Sequence, residues 1–444
     1  MKTLIKDCII VNEGNLFKGS LLIEDSFISA IYRSPNTFPD ADITIDAEGL
    51  YLLPGLIDDQ VHFREPGNTH KADISSESAA AVAGGVTSFM EMPNTTPPAV
   101  TLKLLEEKYQ IASETSYANY SFYLGGTNSN IKEILRADRS KICGIKLFLG
   151  SSTGDMLVDN IEALEEIFEK TDILIAVHSE DEEIIKANIK NAVDHYGEKI
   201  PVSLHPIIRS REACIKSTKK ALDLAIRHNS SLHILHISTK EEIEMLKEAR
   251  KLNHNITGEV CVHYMYLDDN HYDNLGTLMK CNPAIKSLSD REAIISAVKD
   301  GTIMIVATDH APHTIGEKSR EYITAPSGLP LIQHSFQIMW ELHLKGHFTI
   351  HDIADRMAHS PAERFRINKR GFIREGYYAD LMLFNPNKPY TVSKENIKYK
   401  CGWSPFEGTT FNSSIIHTFV NGIHVFDQEK LTGRKAGKRI SFSI

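Results

Sequence analysis

Four polar residues close short apolar runs in this 444-residue chain, which holds 20 histidines. His62 closes GLIDDQVHF (55–63), His178 closes ILIAVHSE (173–180), His236 closes SLHILHIS (231–238) and Asp309 closes IMIVATDH (303–310). Imidazole nitrogen and carboxylate oxygen are ligands for zinc or a similar divalent ion. Taken singly, each histidine reads as a satisfied core or strand-end residue. Three histidines and an aspartate at four separate strand ends read as one site. Lys146 lies inside GIKLFLG (144–150). A buried lysine is costly unless it is paired or modified, and two readings stand open. One is an amine that reacts with carbon dioxide to a carbamate able to bridge metals; the other is a side chain snorkelling to the rim. Arg64 sits two residues beyond His62 and shares its face. Its guanidinium suits a carboxylate gripped through two parallel bonds. Asn94 in MPNT offers a donor and an acceptor, and His313 after DHAP can donate to an anion. A turn cap and a surface loop are the plain alternatives for those two.

These side chains need a frame. Apolar runs at 55–63, 86–94, 118–126, 144–150, 173–180, 231–238, 257–264 and 303–310 alternate with helical patterns such as NIEALEEIFEK and TKEEIEMLKEARKLN. Alternation of this kind predicts an α/β fold, a (β/α)8 TIM-type barrel, whose site lies at the C-terminal ends of the strands. The segment 180–208 then reads as a long loop, and the polar stretch TIGEKSREYITAPSG after His313 as a loop able to close over a ligand. Residues 1–53 and 371–426 share a texture of short strands split by turn residues such as Gly14, Asn15, Pro35 and Pro39. We expect a small β-sandwich-like domain built from both termini, 1–53 with 371–444, around a barrel at 54–370.

Composition narrows the function. Lys and Arg total 49 and Asp and Glu 58, a net charge of −9, which argues against a nucleic-acid partner. No apolar run reaches the roughly 18 residues that span a bilayer. The start, MKTLIKDCIIVNEGN, has Lys6, Asp7 and Asn12 where a signal peptide needs an apolar core. The six cysteines (8, 143, 214, 261, 281 and 401) form no CxxC pair, so a reducing, cytoplasmic setting is expected. GEKS at 316–319 is no phosphate loop, because Ala311 stands where its first glycine belongs.

Read together, PGLIDDQVHFREPG (54–67), FMEMPNT (89–95), GIKLFLG, VHSE (177–180), LHIS (235–238), KCNPAIK (280–286), ATDHAPH (307–313) and GFIREGYYADLMLF (371–384) span nearly the whole chain. The combination resembles the amidohydrolase superfamily and, within it, the dihydroorotase family. The resemblance implies the barrel-plus-small-domain fold and one or two zinc ions. It assigns ligand positions to His62, Lys146 (N-carboxylated), His178, His236 and Asp309. His62, Arg64, Asn94, Asn282, His313 and the backbone of Ser327 and Gly328 match positions that hold the substrate. The family's first strand ends in D-x-H-x-H-x-R, whereas here the first metal histidine is Gln60. An amide oxygen is a weaker, harder ligand than imidazole, so the second metal site is expected to be weak. Asp155 is a lesser alternative to Lys146 as the bridging group.

The implied reaction is the reversible closure of N-carbamoyl-L-aspartate to L-dihydroorotate, through hydroxide on the metal, with Asp309 as general base and then acid. Allantoinase or another cyclic-amide hydrolase is the nearest alternative; Arg64 and the APSG segment count against it. A third reading is a non-catalytic homologue that partners aspartate transcarbamoylase, motivated by Gln60. A small-molecule substrate, no membrane and a homodimer complete the expectation.

Overall fold

The computed structural model describes residues 1–33, 37–150 and 156–444, so Pro35 and Asp155 lie outside the described residues. Eight positions around a barrel are filled in chain order by Leu56–Val61, Val86–Glu91, Asn119–Phe122 continuing into Leu124–Gly125, Ile145–Phe148, Ile175–His178, Leu232–Ile234, Ile256–Cys261 and Ile305–Ala307. Neighbouring strands pair in parallel. The ring closes through a parallel bridge between Val61 and His310, where the His62 N–H donates to the His310 carbonyl at 2.7 Å. The strands are buried along their length, as expected where helices cover a parallel sheet.

Helices form where the periodic segments predicted them: Ile74–Ala83, Ile161–Lys170, Arg211–His228, Lys240–Leu252 and Leu288–Lys299. Their starts are set by side chains that satisfy orphan N–H groups. Thr239 accepts from the Glu242 N–H while Glu242 reaches back to Thr239, and Ser287 and Asp290 form the same box.

One loop expectation changes. The segment 180–208 is largely helical, with Glu182–Tyr196, Val202–Leu204 and His205–Ile208. Asp181 caps its first helix by accepting from Ile184 N. The stretch after His313 is pinned by two buried lysines: Lys318 Nζ donates to the Lys280 and Pro326 carbonyls at 3.0 Å each, and Lys280 Nζ to those of Tyr322 and Ala325 at 2.6 Å each. Each lysine satisfies backbone oxygens that the polar loop would otherwise bury unpaired.

Both chain ends contribute to one nine-stranded, mainly antiparallel sheet. Tyr51–Pro54 pairs antiparallel with Leu381–Asn385, and Lys2–Asn12 pairs with Asn15–Glu24. A buried network joins this sheet to the barrel. Asn119 on the third barrel strand donates to Asp380 at 3.1 Å and accepts from Asn421 at 2.7 Å, while Arg370 pairs with Asp380 and donates to Asn421 at 2.9 Å. No helix among the described residues is long and apolar enough to cross a membrane. All six cysteines are free, and five are buried.

Candidate active site

The predicted residues gather at the C-terminal ends of the barrel strands as two contacting pairs and a lone amine. His62 Nε2 lies 3.0 Å from Asp309 Oδ1, and its Nδ1 contacts Asn94 Oδ1 at 2.8 Å. His178 Nδ1 faces His236 Nε2 at 2.9 Å, and His178 Nε2 lies 3.0 Å from Glu180 Oε2. Lys146 Nζ is buried without a hydrogen-bond partner, 4.5 Å above the Phe148 ring. Burial pushes the Lys146 ammonium down to about 7, so the neutral amine is accessible near neutral pH. Burial also lowers the imidazolium pKa of His62, His178 and His236. Neutral imidazoles are the form that binds metal. Burial alone would raise the Asp309 carboxyl, but the adjacent His62 and the nearby His236 and His263 hold it at about 2.

Three site residues are among the twelve non-glycine residues described with positive φ. Arg64, His236 and Asp309 have φ of 69°, 40° and 50°, left-handed conformations that cost non-glycine residues about 1–3 kcal/mol and cluster at functional sites.

Gln60, where the resemblance would place a histidine, is buried and donates from Nε2 to Asp309 Oδ1 at 3.2 Å. Its Oε1 accepts from Cys261 Sγ at 3.6 Å. The amide thus presents a donor to the carboxylate and turns its oxygen away.

Beside this centre is a cationic corner. Arg64 Nη2 lies 3.0 Å from His313 Nε2, and Lys71 Nζ lies 3.0 Å from His313 Nδ1. Neither cation can accept, so the ring cannot donate to either. Its Nε2 also lies 3.1 Å from the Ser327 carbonyl, the acceptor available to that nitrogen. Arg64 further donates to the Pro312 carbonyl at 3.1 Å, and Lys71 pairs with Glu317 at 3.0 Å. Burial lowers the Arg64 pKa to about 10, still charged at neutral pH. Two cations around one neutral ring fit an anionic ligand. Asn282 Oδ1 is buried with no partner, whereas the Gly328 N–H is already bonded to the Lys280 carbonyl at 2.9 Å. At Gly328, with φ of 143°, an added Cβ would sit 2.4 Å from the Ala311 oxygen. The close approach requires glycine there.

Several contributors escaped the sequence reading. Lys71 carries no motif, and its only signal is a basic residue in the loop after Arg64. Glu180, inside VHSE, is fully buried; Arg209 Nε lies 3.1 Å from each of its oxygens. Burial opposes ionisation, yet Arg209 and His178 keep the Glu180 pKa well below the usual carboxylate range. The charge braces His178 from behind, as ligand-orienting carboxylates do. Deeper in the barrel, His233 Nε2 lies 3.3 Å from Asp59 Oδ2 and 3.2 Å from Glu259 Oε2, all three residues being solvent-free. Burial and the neighbouring Asp59 push the Glu259 carboxyl pKa well above its ordinary range. Its Oε1 also receives the His236 N–H at 3.4 Å.

His62, His178, His236 and Asp309 are of the types that bind a divalent metal ion, and they stand as two contacting pairs with the orphaned Lys146 amine on a neighbouring strand end.

The Amidohydrolase family model matches residues 51–425. A dihydroorotase of Halobacterium salinarum is 32% identical over 88% of this chain and 90% of its own length. A dihydroorotase of Enterococcus faecalis is 31% identical over 97% of this chain and 100% of its own. Among solved structures, an L-hydantoinase (dihydropyrimidinase) from Arthrobacter aurescens superposes with a TM-score of 0.93 at 24% identity, covering 99% of each chain. A dihydropyrimidinase from Brevibacillus agri gives 0.90 at 24% identity, covering 100% of each. At that identity the structural likeness speaks for the fold: the (β/α)8 barrel with its sheet domain.

Proposed function

Because this chain belongs to the amidohydrolase family and is a cyclic amidohydrolase of its dihydroorotase branch, we propose that it interconverts N-carbamoyl-L-aspartate and L-dihydroorotate in pyrimidine biosynthesis. The observation that carries this choice is the convergence of Arg64 and Lys71 on His313, close to the His62–Asp309 pair. Dihydroorotate carries a carboxylate on its ring; allantoin and simple hydantoins do not require such a corner.

In this reading His62, His178, His236 and Asp309 hold zinc, with Lys146 as a carbamate ligand, and Gln60 leaves a second ion weakly bound. Bound zinc would polarise the scissile carbonyl and lower the pKa of water toward about 7. The protein's own part is positional and protonic. Arg64, with His313, Asn94 and His62, grips the substrate and fixes its ring carbonyl above Asp309, a gain in proximity. Asn282 Oδ1 accepts from a ring N–H. Asp309 Oδ2 takes a proton from the attacking water and returns it to the leaving ring nitrogen. Gln60 holds Oδ1 meanwhile, leaving the second oxygen for that transfer. Burial of these groups excludes bulk water from the developing charge.

The same reading divides the chain at 1–53, 54–370 and 371–444. It places the protein in the cytoplasm as a homodimer, with aspartate transcarbamoylase as a candidate partner. The test is loss of dihydroorotate with the purified protein, with and without prior chelation, beside allantoin, hydantoin and dihydrouracil. Chelator-sensitive turnover confined to dihydroorotate is expected. Faster turnover of an uncharged ring would replace the proposal with the other cyclic-amide hydrolases.

A further inference from the structure

A second cluster of ligand-type side chains lies on the small sheet. Strands Ser414–Val420 and Ile423–Asp427 pair antiparallel, placing His417 opposite Asp427 and Phe419 opposite His424. Thr418 points to the barrel, donating to the Val82 carbonyl at 2.8 Å, so the adjacent His417 points to the opposite face. There His417 Nδ1 lies 3.1 Å from Asp427 Oδ1 and 3.2 Å from His424 Nε2. All three ligand atoms lie within 4.8 Å of one another.

Two features separate this from an ordinary cross-strand ion pair. Asp427 Oδ1 is shielded from solvent yet has no aligned hydrogen bond, although an imidazole nitrogen is near. A charge-assisted hydrogen bond would draw them to about 2.7–2.9 Å and satisfy the oxygen. The separations of 3.1 and 3.2 Å, the second a His417–His424 hydrogen bond, are a few tenths of an ångström under the roughly 3.3–3.6 Å between ligand atoms at about 2.0–2.2 Å from a tetrahedral zinc, so a small outward shift of the side chains admits the ion. The rings are also held in place. His424 stacks on Phe419, centroids 4.6 Å apart and planes 13° from parallel. His417 is buried, whereas His424 and Asp427 are half-exposed, so an ion can reach the cluster and water can complete its shell.

We propose that His417, His424 and Asp427 form a binding site for a divalent transition metal of the zinc type, separate from the barrel site. Two imidazoles and one carboxylate select zinc, cobalt or nickel over magnesium or calcium. None of the three residues belongs to the proposed catalytic machinery, so the site binds whether or not dihydroorotate is the substrate.

The experiment compares the whole protein with the variant His424→Ala/Asp427→Asn, both purified without chelators and equilibrated with excess Co2+, then desalted. Elemental analysis should find one metal equivalent per chain fewer in the variant. The visible Co2+ absorption should fall correspondingly, and turnover of dihydroorotate should stay unchanged. Equal metal content in the two proteins overturns the proposal, as does displacement of the extra ion by equimolar Mg2+. If the double variant does not fold, His424→Asn alone should still weaken Zn2+ binding in calorimetry at least tenfold, and unchanged binding overturns the proposal. Absence of turnover in both proteins, with the metal difference intact, would refute the proposed reaction and leave this site standing.

Discussion

Gln60 Nε2 donates to Asp309 Oδ1 at 3.2 Å, across 249 residues of sequence. The amide therefore acts on the site through the carboxylate, as a hydrogen-bond donor, with its oxygen turned toward Cys261. Restoring imidazole by Gln60→His replaces that donor with a metal ligand. We expect the variant to retain more zinc per chain than the wild type after dialysis. Elemental analysis reads this directly, and equal retention would show that the amide is not what weakens the second site.

Asp309→Asn keeps a side chain of the same size between His62 and Gln60 but removes the proton acceptor. General acid–base catalysis contributes about 10²–10⁴-fold, so kcat should fall by at least about 10²-fold while the melting temperature stays close to wild type. Near-normal kcat would remove Asp309 from the proton-transfer role.

Arg64→Lys and Lys71→Met test the cationic corner. A hydrogen bond to a charged group contributes about 1.5–3 kcal/mol, roughly 10–100-fold. Each change should lower kcat/KM for dihydroorotate by about that factor. Turnover of a cyclic amide without a carboxylate should hardly change. Equal losses on both substrates would mean that the two cations support the loop rather than the ligand.

Lys146 carries a pKa lowered by burial to about 7. A carbamate forms from the neutral amine, whose fraction rises as pH rises through that value. Metal reloading of stripped protein should therefore quicken with added bicarbonate, and more so at about pH 8 than at about pH 6. Lys146→Met should lose the bicarbonate effect entirely. Reloading indifferent to bicarbonate would favour an unmodified lysine.

The junction of barrel and sheet rests on a buried charge pair. Arg370 and Asp380 are both nearly solvent-free, with Asn119 and Asn421 completing their hydrogen bonds. Removing one partner strands the other, a loss of about 3–5 kcal/mol. Asp380→Ala should lower the midpoint of urea unfolding accordingly, and a loss below about 1 kcal/mol would mean that the network carries little of the junction.

Much of this protein is legible in one dimension. Runs such as IMIVATDH and ILIAVHSE end in Asp309 and His178 because a parallel barrel buries both faces of each strand and opens only at its C-terminal mouth. The apolar run and its polar terminus are therefore adjacent in sequence, and His62, His236 and Asp309 could be picked out before any contact was known. The helices after those runs were readable for a similar reason, since capping residues such as Thr239 and Glu242 act over three positions. What the chain could not show in one dimension are relationships made by ring closure. Lys71 meets His313 across 242 residues, and Arg209 braces Glu180 across 29. His233, Asp59 and Glu259 meet inside the barrel from three different strands. Such contacts depend on strand order, tilt and the direction of each side chain, which local hydrophobic period does not encode. The pattern of types along the chain determined which residues stand at the mouth; only the closed barrel decided which of them face one another.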